Sequence, residues 1–184
     1  MNIFFIGTVE FSYLALEKLI QSGANIVGVA TKDKSDFNAD FRDLSDLAKK
    51  NNIPFKYVKN INDIEIINWI QELNSSVIYC FGWSFLLKKE LLNCTDLGVV
   101  GYHPAMLPYN RGRHPLIWAL VLGLKETGST FFMMDEGADS GDIISQKKIL
   151  ISEDDYANDL YQKIIKTGLK QIIEFTKELK EGNL

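Results

Sequence analysis

The chain has 184 residues, of which 46% are hydrophobic and 24% are charged, a composition typical of a soluble globular protein with a sizeable core. Its net charge of −4 does not favour the large basic surface that nucleic-acid binding uses. Two cysteines cannot build a disulfide framework, no signal peptide is recognisable, and no apolar run has the length of a membrane span. We therefore expect one cytoplasmic domain, residues 1–184, with Cys80 reduced in its core.

Residues 1–100 alternate short apolar segments with amphipathic ones. Strands are predicted at residues 2–7, 26–31, 55–58, 76–81 and 98–103. Helices are predicted at residues 11–20, 44–51, 64–73 and 85–92. This alternation predicts an α/β fold with a Rossmann-like, doubly wound and mainly parallel sheet.

Residues 101–184 contain loops, a predicted strand at residues 143–151 and a long C-terminal helix. The helix is expected to begin near Asp154 as its N-cap and to run to Glu178, because its apolar positions have helical spacing. A shorter, buried helix is expected to begin at Pro115, with His114 as its cap.

The turn after the first predicted strand does not have the pattern of a dinucleotide site. That site needs Gly-x-Gly-x-x-Gly, whereas only Gly7 is present and Glu10 would repel a phosphate. An NAD-type oxidoreductase is therefore rejected. A metal site is not expected either, because His103, His114 and Asp139 lack the close spacing of typical zinc ligands.

Two loop segments carry the candidate chemistry. His103 ends a predicted buried strand, and Pro104 then directs the chain out of the sheet. Three carboxylates, Asp135, Asp139 and Asp142, alternate with glycines in the second segment. A histidine at a strand end and a glycine-rich acidic loop could form an acid–base pair.

Residues 101–112, Gly-Tyr-His-Pro-Ala-Met-Leu-Pro-Tyr-Asn-Arg-Gly, and residues 135–142, Asp-Glu-Gly-Ala-Asp-Ser-Gly-Asp, carry a resemblance. They resemble the catalytic domain of the formyltransferases that use 10-formyltetrahydrofolate, whose members formylate glycinamide ribonucleotide, methionyl-tRNA or nucleotide-linked amino sugars. The family signature begins Asn-x-His, so its catalytic Asn falls on Gly101 here.

The resemblance implies acyl transfer in which His103 shuttles a proton or stabilises an oxyanion, while Asp139 orients His103 and holds a water. It leaves three alternatives for the missing Asn. Asn110 or a backbone N–H replaces it, His103 carries the oxyanion alone, or the protein is a weak or altered enzyme. Asp135 and Asp142 are expected to hold the loop backbone.

The resemblance also implies binding residues. The folate pocket is expected to comprise Phe81, Gly82, Trp83, Phe85, Leu86, Leu87, Asp135, Gly137 and Asp139. Gly82 would leave room for the pterin edge, and the alternative for Trp83, Phe85 and Leu86 is a plain core role. Substrate contacts are expected from Thr8, Tyr102, Pro104, Tyr109, Arg111 and Gly112.

Other details of these contacts stay open. The turn at Thr8 is as readily structural as ligand-binding. Trp83, Tyr109 and Trp118 could stack on a base or lie in the core, and Arg111 and Arg113 could bind a phosphate or brace their loop.

The resemblance implies an enzyme that transfers the formyl group of 10-formyltetrahydrofolate, without a metal, to a primary amine. The expected acceptor is a small nucleotide-linked amino sugar, as in lipopolysaccharide assembly, because methionyl-tRNA formyltransferases usually carry a further C-terminal domain. The alternatives are glycinamide ribonucleotide formylation, a catalytically weak folate- or nucleotide-sugar-binding module, and formyl-folate hydrolysis. No nucleic-acid or membrane partner is expected, and a homodimer is kept open as an alternative to a monomer.

Overall fold

A computed structural model describes residues 1–34 and 39–183 of the chain. By its internal contacts the chain divides into two compact units, Met1–Val100 and Gly101–Leu184, and Leu184 itself lies outside the described residues. The described strands form a seven-stranded sheet in the order β3-β2-β1-β4-β5-β6-β7, with bounds given below. Parallel pairing of the first strands and antiparallel pairing of the last two make the sheet mostly parallel, which confirms the predicted fold class.

The first unit consists of alternating strands and helices. Its strands are β1 (Asn2–Gly7), β2 (Asn25–Thr31), β3 (Phe55–Tyr57) and β4 (Val77–Phe81). Its helices are α1 (Glu10–Gln21), α2 (Ser45–Lys50), α3 (Ile64–Glu72) and α4 (Lys89–Leu92). Strand β1 lies between β2 and β4, and Phe4, Phe5 and Ile6 are fully buried there. A strand buried on both faces reads as a continuous apolar run, which is why this part of the fold was predictable.

Cys80 of β4 is buried and free, as expected for a reduced core residue. Burial raises the pKa of its thiol to about 12, because the apolar surroundings disfavour the thiolate.

The helix predicted at residues 85–92 is shorter than expected, since α4 begins only at Lys89. The reason is Asn62, whose side chain donates to the carbonyl of Leu86 at 3.0 Å and accepts from the N–H of Lys88 at 2.7 Å. In a helix the carbonyl of Leu86 would have to accept from the N–H four residues later, so its bond to Asn62 keeps residues 85–88 non-helical.

The second unit begins within the strand that ends at His103. Its elements are the end of β5 (Val99–His103), whose first two residues belong to the first unit, and α5 (Pro115–Val121), β6 (Glu126–Met133), β7 (Ile143–Leu150) and α6 (Ala157–Glu181). Strands β6 and β7 pair antiparallel, from Glu126 opposite Leu150 to Phe132 opposite Ile143. The sequence did not predict β6, because Thr127, Ser129 and Thr130 interrupt its apolar pattern although all three are buried.

Helix α5 is mostly exposed, so the prediction of a buried helix was wrong. Only Ala119 is fully buried in it, and Leu116 and Leu120 pack partly against the cluster around Ile149 and Leu160. Four apolar side chains on its other face are exposed: Ile117, Trp118, Val121 and Leu122. A helix of about two turns that contacts the core with one face leaves the opposite face in solvent whatever its composition.

The start of α6 was predicted two residues too early. Its N-cap is Tyr156 and not Asp154, because the N–H of Tyr156 donates to Asp159 at 2.9 Å, while Asp155 accepts from the N–H of Ser152 at 2.8 Å. The helix ends at Glu181, and Gly182 follows it with a φ of 72° that closes the helix. Across residues 1–34 and 39–183, no helix combines the length and the apolar character needed to cross a bilayer.

Candidate active site

His103 is the last residue of β5 and is only 5% exposed. Its Nε2 lies 2.8 Å from the backbone carbonyl of Asn110. Because a carbonyl oxygen can only accept, Nε2 carries a proton and donates it. The ring is therefore fixed by the loop that follows its own strand, and Nδ1 is left as the atom that can gain or lose a proton.

Asp139 stands against that free nitrogen. Its Oδ2 lies 3.5 Å from Nδ1 of His103 and accepts a hydrogen bond of 3.0 Å from the N–H of Gly112. The side chain is 23% exposed, against 7% for His103. One carboxylate oxygen thus joins the acidic loop, the loop at Gly112 and the histidine ring, so the structure brings His103 and Asp139 together as the sequence predicted.

This arrangement suits proton transfer. A separation of 3.5 Å is an ion-pair contact and is longer than a hydrogen bond, so Nδ1 is not tightly committed to Asp139. A proton that arrives on Nδ1 makes an imidazolium held between the carbonyl of Asn110 and the carboxylate of Asp139. The two ring nitrogens therefore face acceptor oxygens on both sides, an arrangement that suits a group that takes up and returns a proton.

At Gly101, two apolar side chains fill the space that the Asn side chain of the family signature would enter. A Cβ built on Gly101 would lie 2.8 Å from Cγ of Met134 and 2.9 Å from Cζ of Phe132. These contacts are shorter than real side chains tolerate, so the two apolar side chains occupy the space that a residue at 101 would enter. The glycine is a packing requirement of the site.

Asn110 takes part through its backbone. Its carbonyl accepts from His103, while the residue is exposed and has a φ of 54°, in the left-handed region that Asn tolerates better than most residues. No hydrogen bond of its side-chain amide is found among residues 1–34 and 39–183. Asn110 as the oxyanion donor stays a prediction, and the geometry accounts for the residue without that role.

The acidic loop is held by its own side chains. Asp135 accepts from the N–H of Gly137 at 3.0 Å and from the hydroxyl of Ser140 at 2.7 Å. The backbone carbonyl of Asp142 accepts from the N–H of Met133 at 2.8 Å. Asp135 therefore holds loop backbone with its carboxylate, as expected, whereas the contact at Asp142 is made by its main-chain carbonyl. Asp139 is the carboxylate that reaches His103.

The predicted folate segment lies in the first unit and starts with a tight turn. Gly82 has a φ of 65°, and a Cβ there would lie 2.2 Å from Cγ2 of Val9. The hydroxyl of Ser12 donates to the carbonyl of Phe81 at 2.6 Å, and that of Thr8 donates to the carbonyl of Gly82 at 2.8 Å. The absence of a side chain at Gly82 is explained by this packing, so it does not by itself indicate a ligand.

Beyond the turn, the segment presents aromatic and apolar side chains to solvent. Phe85 is 52% and Leu86 68% exposed, whereas Leu87 and Phe81 are buried in the core. The ammonium of Lys32 lies 4.9 Å from the ring centroid of Trp83 and 4.3 Å from that of Phe85. Phe85 and Leu86 are therefore exposed to a ligand and are not core residues.

A cavity of about 340 Å³ lies beside these side chains. It is lined by Lys59, Asn60, Ile61, Asn62, Trp83, Phe85 and Leu86. The indole N–H of Trp83 is buried and has no hydrogen-bond partner among the described residues. Flat apolar walls with a few polar groups suit an aromatic co-substrate such as a folate.

Two of the predicted substrate-binding residues have internal roles. Thr8 is 2% exposed, and its hydroxyl donates to the carbonyl of Gly82. Tyr102 packs its ring 4.6 Å from that of Phe131, and its hydroxyl lies 3.0 Å from that of Ser129. Burial raises the pKa of the Tyr102 phenol, which stays neutral. The geometry assigns both residues to the packing of the fold.

The remaining predicted substrate residues lie on the surface of the loop after His103. Pro104 is half-buried, and the residues from Pro108 to His114 are exposed, with Tyr109 at 73%. No ion pair or hydrogen bond of the Arg111 and Arg113 side chains is found among the described residues. His114, the cap of α5, has a φ of 57°. The loop therefore carries two unpaired arginines next to the residue that binds Asp139.

Sequence analysis missed two polar residues of this region, Thr130 and Gln146. The amide of Gln146 donates to the carbonyl of Leu107 at 2.9 Å and to the hydroxyl of Thr130 at 3.0 Å, and that hydroxyl donates to the carbonyl of Ala105 at 2.6 Å. The only sequence signal was that Gln146 is a polar residue within the strand predicted at residues 143–151. No group of three or more His, Cys, Asp or Glu side chains that could hold a metal occurs within residues 1–34 and 39–183.

Residues 1–176 match the family model for formyl transferases. A methionyl-tRNA formyltransferase of Caldanaerobacter subterraneus subsp. tengcongensis is 34% identical over 189 residues, which cover 100% of this chain and 61% of the relative. The chain thus spans about three fifths of the length of the curated relatives it matches.

Solved structures of two kinds have the same fold. The phosphoribosylglycinamide formyltransferase of Anaplasma phagocytophilum superposes with a TM-score of 0.85 at 23% identity, over 99% of this chain and 88% of that one. A sugar 3N-formyl transferase, crystallised in the presence of dTDP and 5-N-formyl-THF, gives 0.72 at 22% identity, over 98% and 62%. With the family model matching nearly the whole sequence, the chain belongs to the formyl transferase family.

Proposed function

We propose that the protein transfers the formyl group of 10-formyltetrahydrofolate to the primary amine of a nucleotide-linked amino sugar. The observation that carries the proposal is the contact between His103 and Asp139, since it joins the two segments that bear the family signature. We assign the exposed side chains of Phe85 and Leu86 to binding the folate co-substrate, together with the N–H of Trp83, which has no partner in the part of the chain that the structure describes.

In the proposed reaction, the neutral amine attacks the formyl carbon and forms a tetrahedral oxyanion. The amine nitrogen then gives up a proton, and the bond between the formyl carbon and the folate nitrogen breaks as that nitrogen takes up a proton. Nδ1 of His103 is suited to accept the first proton, directly or through a water, and to return it. Asp139 stabilises the imidazolium in between.

The oxyanion needs a donor, and a side-chain amide at position 101 is not available to it. Phe132 and Met134 fill that space. We propose that protonated His103 stabilises the oxyanion alone, which lowers the rate compared with a site that has a second donor. Removing one such donor from an enzyme typically costs about 10²–10³ in turnover.

Arg111 and Arg113 support the proposal that the acceptor is anionic. Both guanidiniums are exposed and unpaired among the described residues, and their planar forks match phosphate oxygens. Methionyl-tRNA, phosphoribosylglycinamide and dTDP, which occur in the names of similar proteins, all carry phosphate. The nucleotide-linked sugar is the form we favour because the net charge of −4 is unfavourable for a polynucleotide.

Methionyl-tRNA is the second candidate, because a methionyl-tRNA formyltransferase is 34% identical to this chain over 189 aligned residues. Glycinamide ribonucleotide is kept as an alternative on the strength of the fold alone. A cytoplasmic location belongs to the same proposal, and the two free cysteines, Cys80 and Cys94, fit a reducing compartment. A small-molecule acceptor and a homodimer remain predictions.

The test is a transfer assay with 10-formyltetrahydrofolate and three acceptors: a dTDP-linked amino sugar, phosphoribosylglycinamide and methionyl-tRNA. Formyl transfer to the sugar, lost in His103→Gln and retained in His114→Gln, is expected. His114 is the matched control because it is the other histidine of the chain. Transfer to methionyl-tRNA alone would replace the sugar with the second candidate. Folate binding without transfer to any acceptor would leave the weak binding module as the better interpretation.

A further inference from the structure

The segment from Pro104 to Asn110 determines how the His103 ring is held. It leaves the sheet directly after His103 and returns the carbonyl of Asn110 to Nε2 of the same ring at 2.8 Å. Its end, from Pro108 to Asn110, is exposed. The position of the Asn110 carbonyl therefore depends on how the middle of the segment is anchored.

Two strand residues anchor that middle. The side-chain amide of Gln146 in β7 donates one hydrogen to the carbonyl of Leu107 and the other to the hydroxyl of Thr130. The Thr130 hydroxyl, in β6, passes its own hydrogen to the carbonyl of Ala105. Both hydrogens of the Gln146 amide and the hydrogen of the Thr130 hydroxyl are used, and every acceptor is a different atom.

The bonds run in one direction, from amide to hydroxyl to carbonyl, so each polarises the next. Thr130 is fully buried. Thr130 and Gln146, which hold the segment, lie opposite each other on two paired strands and not on loops. Residues that position a catalytic group are most effective when their own rotamers are locked in this way. The second connection to the site, from Asp139 to Gly112, is by contrast partly exposed.

We infer that Gln146, acting through Thr130 and the 104–110 segment, is a positioning residue that orients His103 toward Asp139. Its amide donates to Leu107 and Thr130, and no hydrogen bond from it to the histidine is found within residues 1–34 and 39–183. Its effect is to hold the Asn110 carbonyl where Nε2–H can donate to it, which leaves Nδ1 facing the carboxylate. The inference rests on the proposed role of His103, and its first test is independent of that role.

The first test observes His103 directly by ¹H–¹⁵N NMR of the imidazole nitrogens. The chain has two histidines, so His114→Gln assigns the His103 signals. In the unaltered protein we expect a slowly exchanging Nε2–H, consistent with burial and the bond to Asn110. Gln146→Leu, which keeps the bulk and removes the donors, should broaden or shift that signal. Thr130→Val should do the same, and Thr130→Ser should restore it.

The strand supplies a matched control. Thr127 lies on the same strand, is 1% exposed, and its hydroxyl has no partner among the described residues. Thr127→Val therefore makes the same chemical change as Thr130→Val without breaking a hydrogen bond. We expect it to leave the His103 signals unchanged and to keep or raise the melting temperature, because an unpaired buried hydroxyl is removed.

The kinetic test uses formyl transfer. Gln146→Leu should lower kcat by about 10-fold or more, shift the pH profile of kcat and leave KM within about twofold. Unchanged His103 signals in folded Gln146→Leu would overturn the inference, whatever the activity. If Gln146→Leu does not fold, the comparison of Thr130→Val with Thr130→Ser and Thr127→Val decides in the same way. Altered His103 signals without any transfer activity in the unaltered protein would keep the inference and reject the proposed function.

Discussion

Oδ2 of Asp139 accepts the N–H of Gly112 at 3.0 Å and lies 3.5 Å from Nδ1 of His103. A single carboxylate oxygen therefore both closes the loop around Gly112 and sets the electrostatic environment of the histidine. Asp139 adopts a φ of 53° to reach this position. Strain of this kind at a candidate acid–base pair is a feature of functional sites.

This relationship decides how Asp139 should be tested. Asp139→Asn retains a side chain that tolerates positive φ and still accepts from Gly112, but it removes the charge facing His103. We expect turnover to fall by roughly 10²-fold or more, within the range of lost acid–base assistance, with a small change in stability. Steady-state kinetics and thermal melts check this. Asp142→Asn is the control, because the carboxylate of Asp142 does not contact His103, and full activity of Asp139→Asn would contradict the assignment.

Asn110 needs a similar choice of variant. Asn110→Ala would place Ala at a φ of 54°, which costs about 1 kcal/mol, so a loss of activity there would have two explanations. Asn110→Gly keeps the backbone geometry and the carbonyl that accepts from His103 while removing the amide. We expect near-normal kcat in Asn110→Gly. A drop of about 10²-fold with unchanged melting temperature would instead identify the amide as the oxyanion donor.

The strands of the first unit were predictable because an apolar run buried on both faces has a sequence signature. Strand β6 was not, because it buries Thr127, Ser129 and Thr130, and the hydroxyls of Ser129 and Thr130 face polar partners that lie far away in the sequence. The Thr130 hydroxyl, for example, donates to Ala105. Buried polar residues on a strand break the alternation on which prediction depends.

The pairing of His103 with Asp139 was predictable only from the resemblance, since 35 residues separate them and spacing alone does not join them. What holds the pair was beyond prediction. Left-handed backbone at Asn110 and Asp139 has no clear sequence signal, and neither has the filling of the Gly101 space by Phe132 and Met134. Such details depend on which side chains the fold brings together.

Gly82 is a poor place to test folate binding. Its φ of 65° and the approach of Val9 mean that Gly82→Val should destabilise the protein by roughly 1–3 kcal/mol or more, whether or not folate binds nearby. Leu86→Ser is the better variant, because Leu86 is 68% exposed and contributes little to the core. We expect weaker binding of 5-formyltetrahydrofolate by calorimetry at unchanged melting temperature. Leu150→Ser, at the same exposure, is the control, and equal affinities would reject the assignment.

Asp155 near the start of α6 should make stability depend on pH. Its pKa is lowered from 3.8, first by the hydrogen bond from Lys163 and then by the N–H of Ser152. A carboxyl whose pKa is lower when folded stabilises the protein above its unfolded pKa, and this contribution is lost as pH falls through the folded value. Asp155→Asn should therefore be less stable than the unaltered protein near pH 7, and the difference should shrink below about pH 4.

Urea unfolding across that pH range measures the effect. Lys163→Met should show the same convergence at low pH, because it removes the other partner. The neighbouring Asp154 is exposed and does not cap α6, so Asp154→Asn should match the unaltered protein throughout. A difference for Asp155→Asn that persists undiminished at low pH would show that the charge is not responsible.

The last prediction concerns the space at Gly101. An Asn side chain there would overlap Phe132 and Met134, whose atoms lie within 2.9 Å of an ideal Cβ. Gly101→Asn should therefore destabilise the protein by roughly 1–3 kcal/mol, as overpacking does, without raising turnover. Gly23→Asn is the control for the same substitution in open space, since nothing lies within 4 Å of a Cβ at that turn and Asn is among the residues that best tolerate its φ of 80°.

A second substitution separates packing from chemistry. Phe132→Leu shortens the side chain that Gly101→Asn would overlap, so the double variant should be more stable than the sum of the two single effects predicts. If the amide then reaches the oxyanion, turnover of the double variant should exceed that of Phe132→Leu alone. Thermal melts and steady-state kinetics on all four proteins measure both couplings. A Gly101→Asn variant as stable as the unaltered protein would mean that the apolar filling does not exclude the amide.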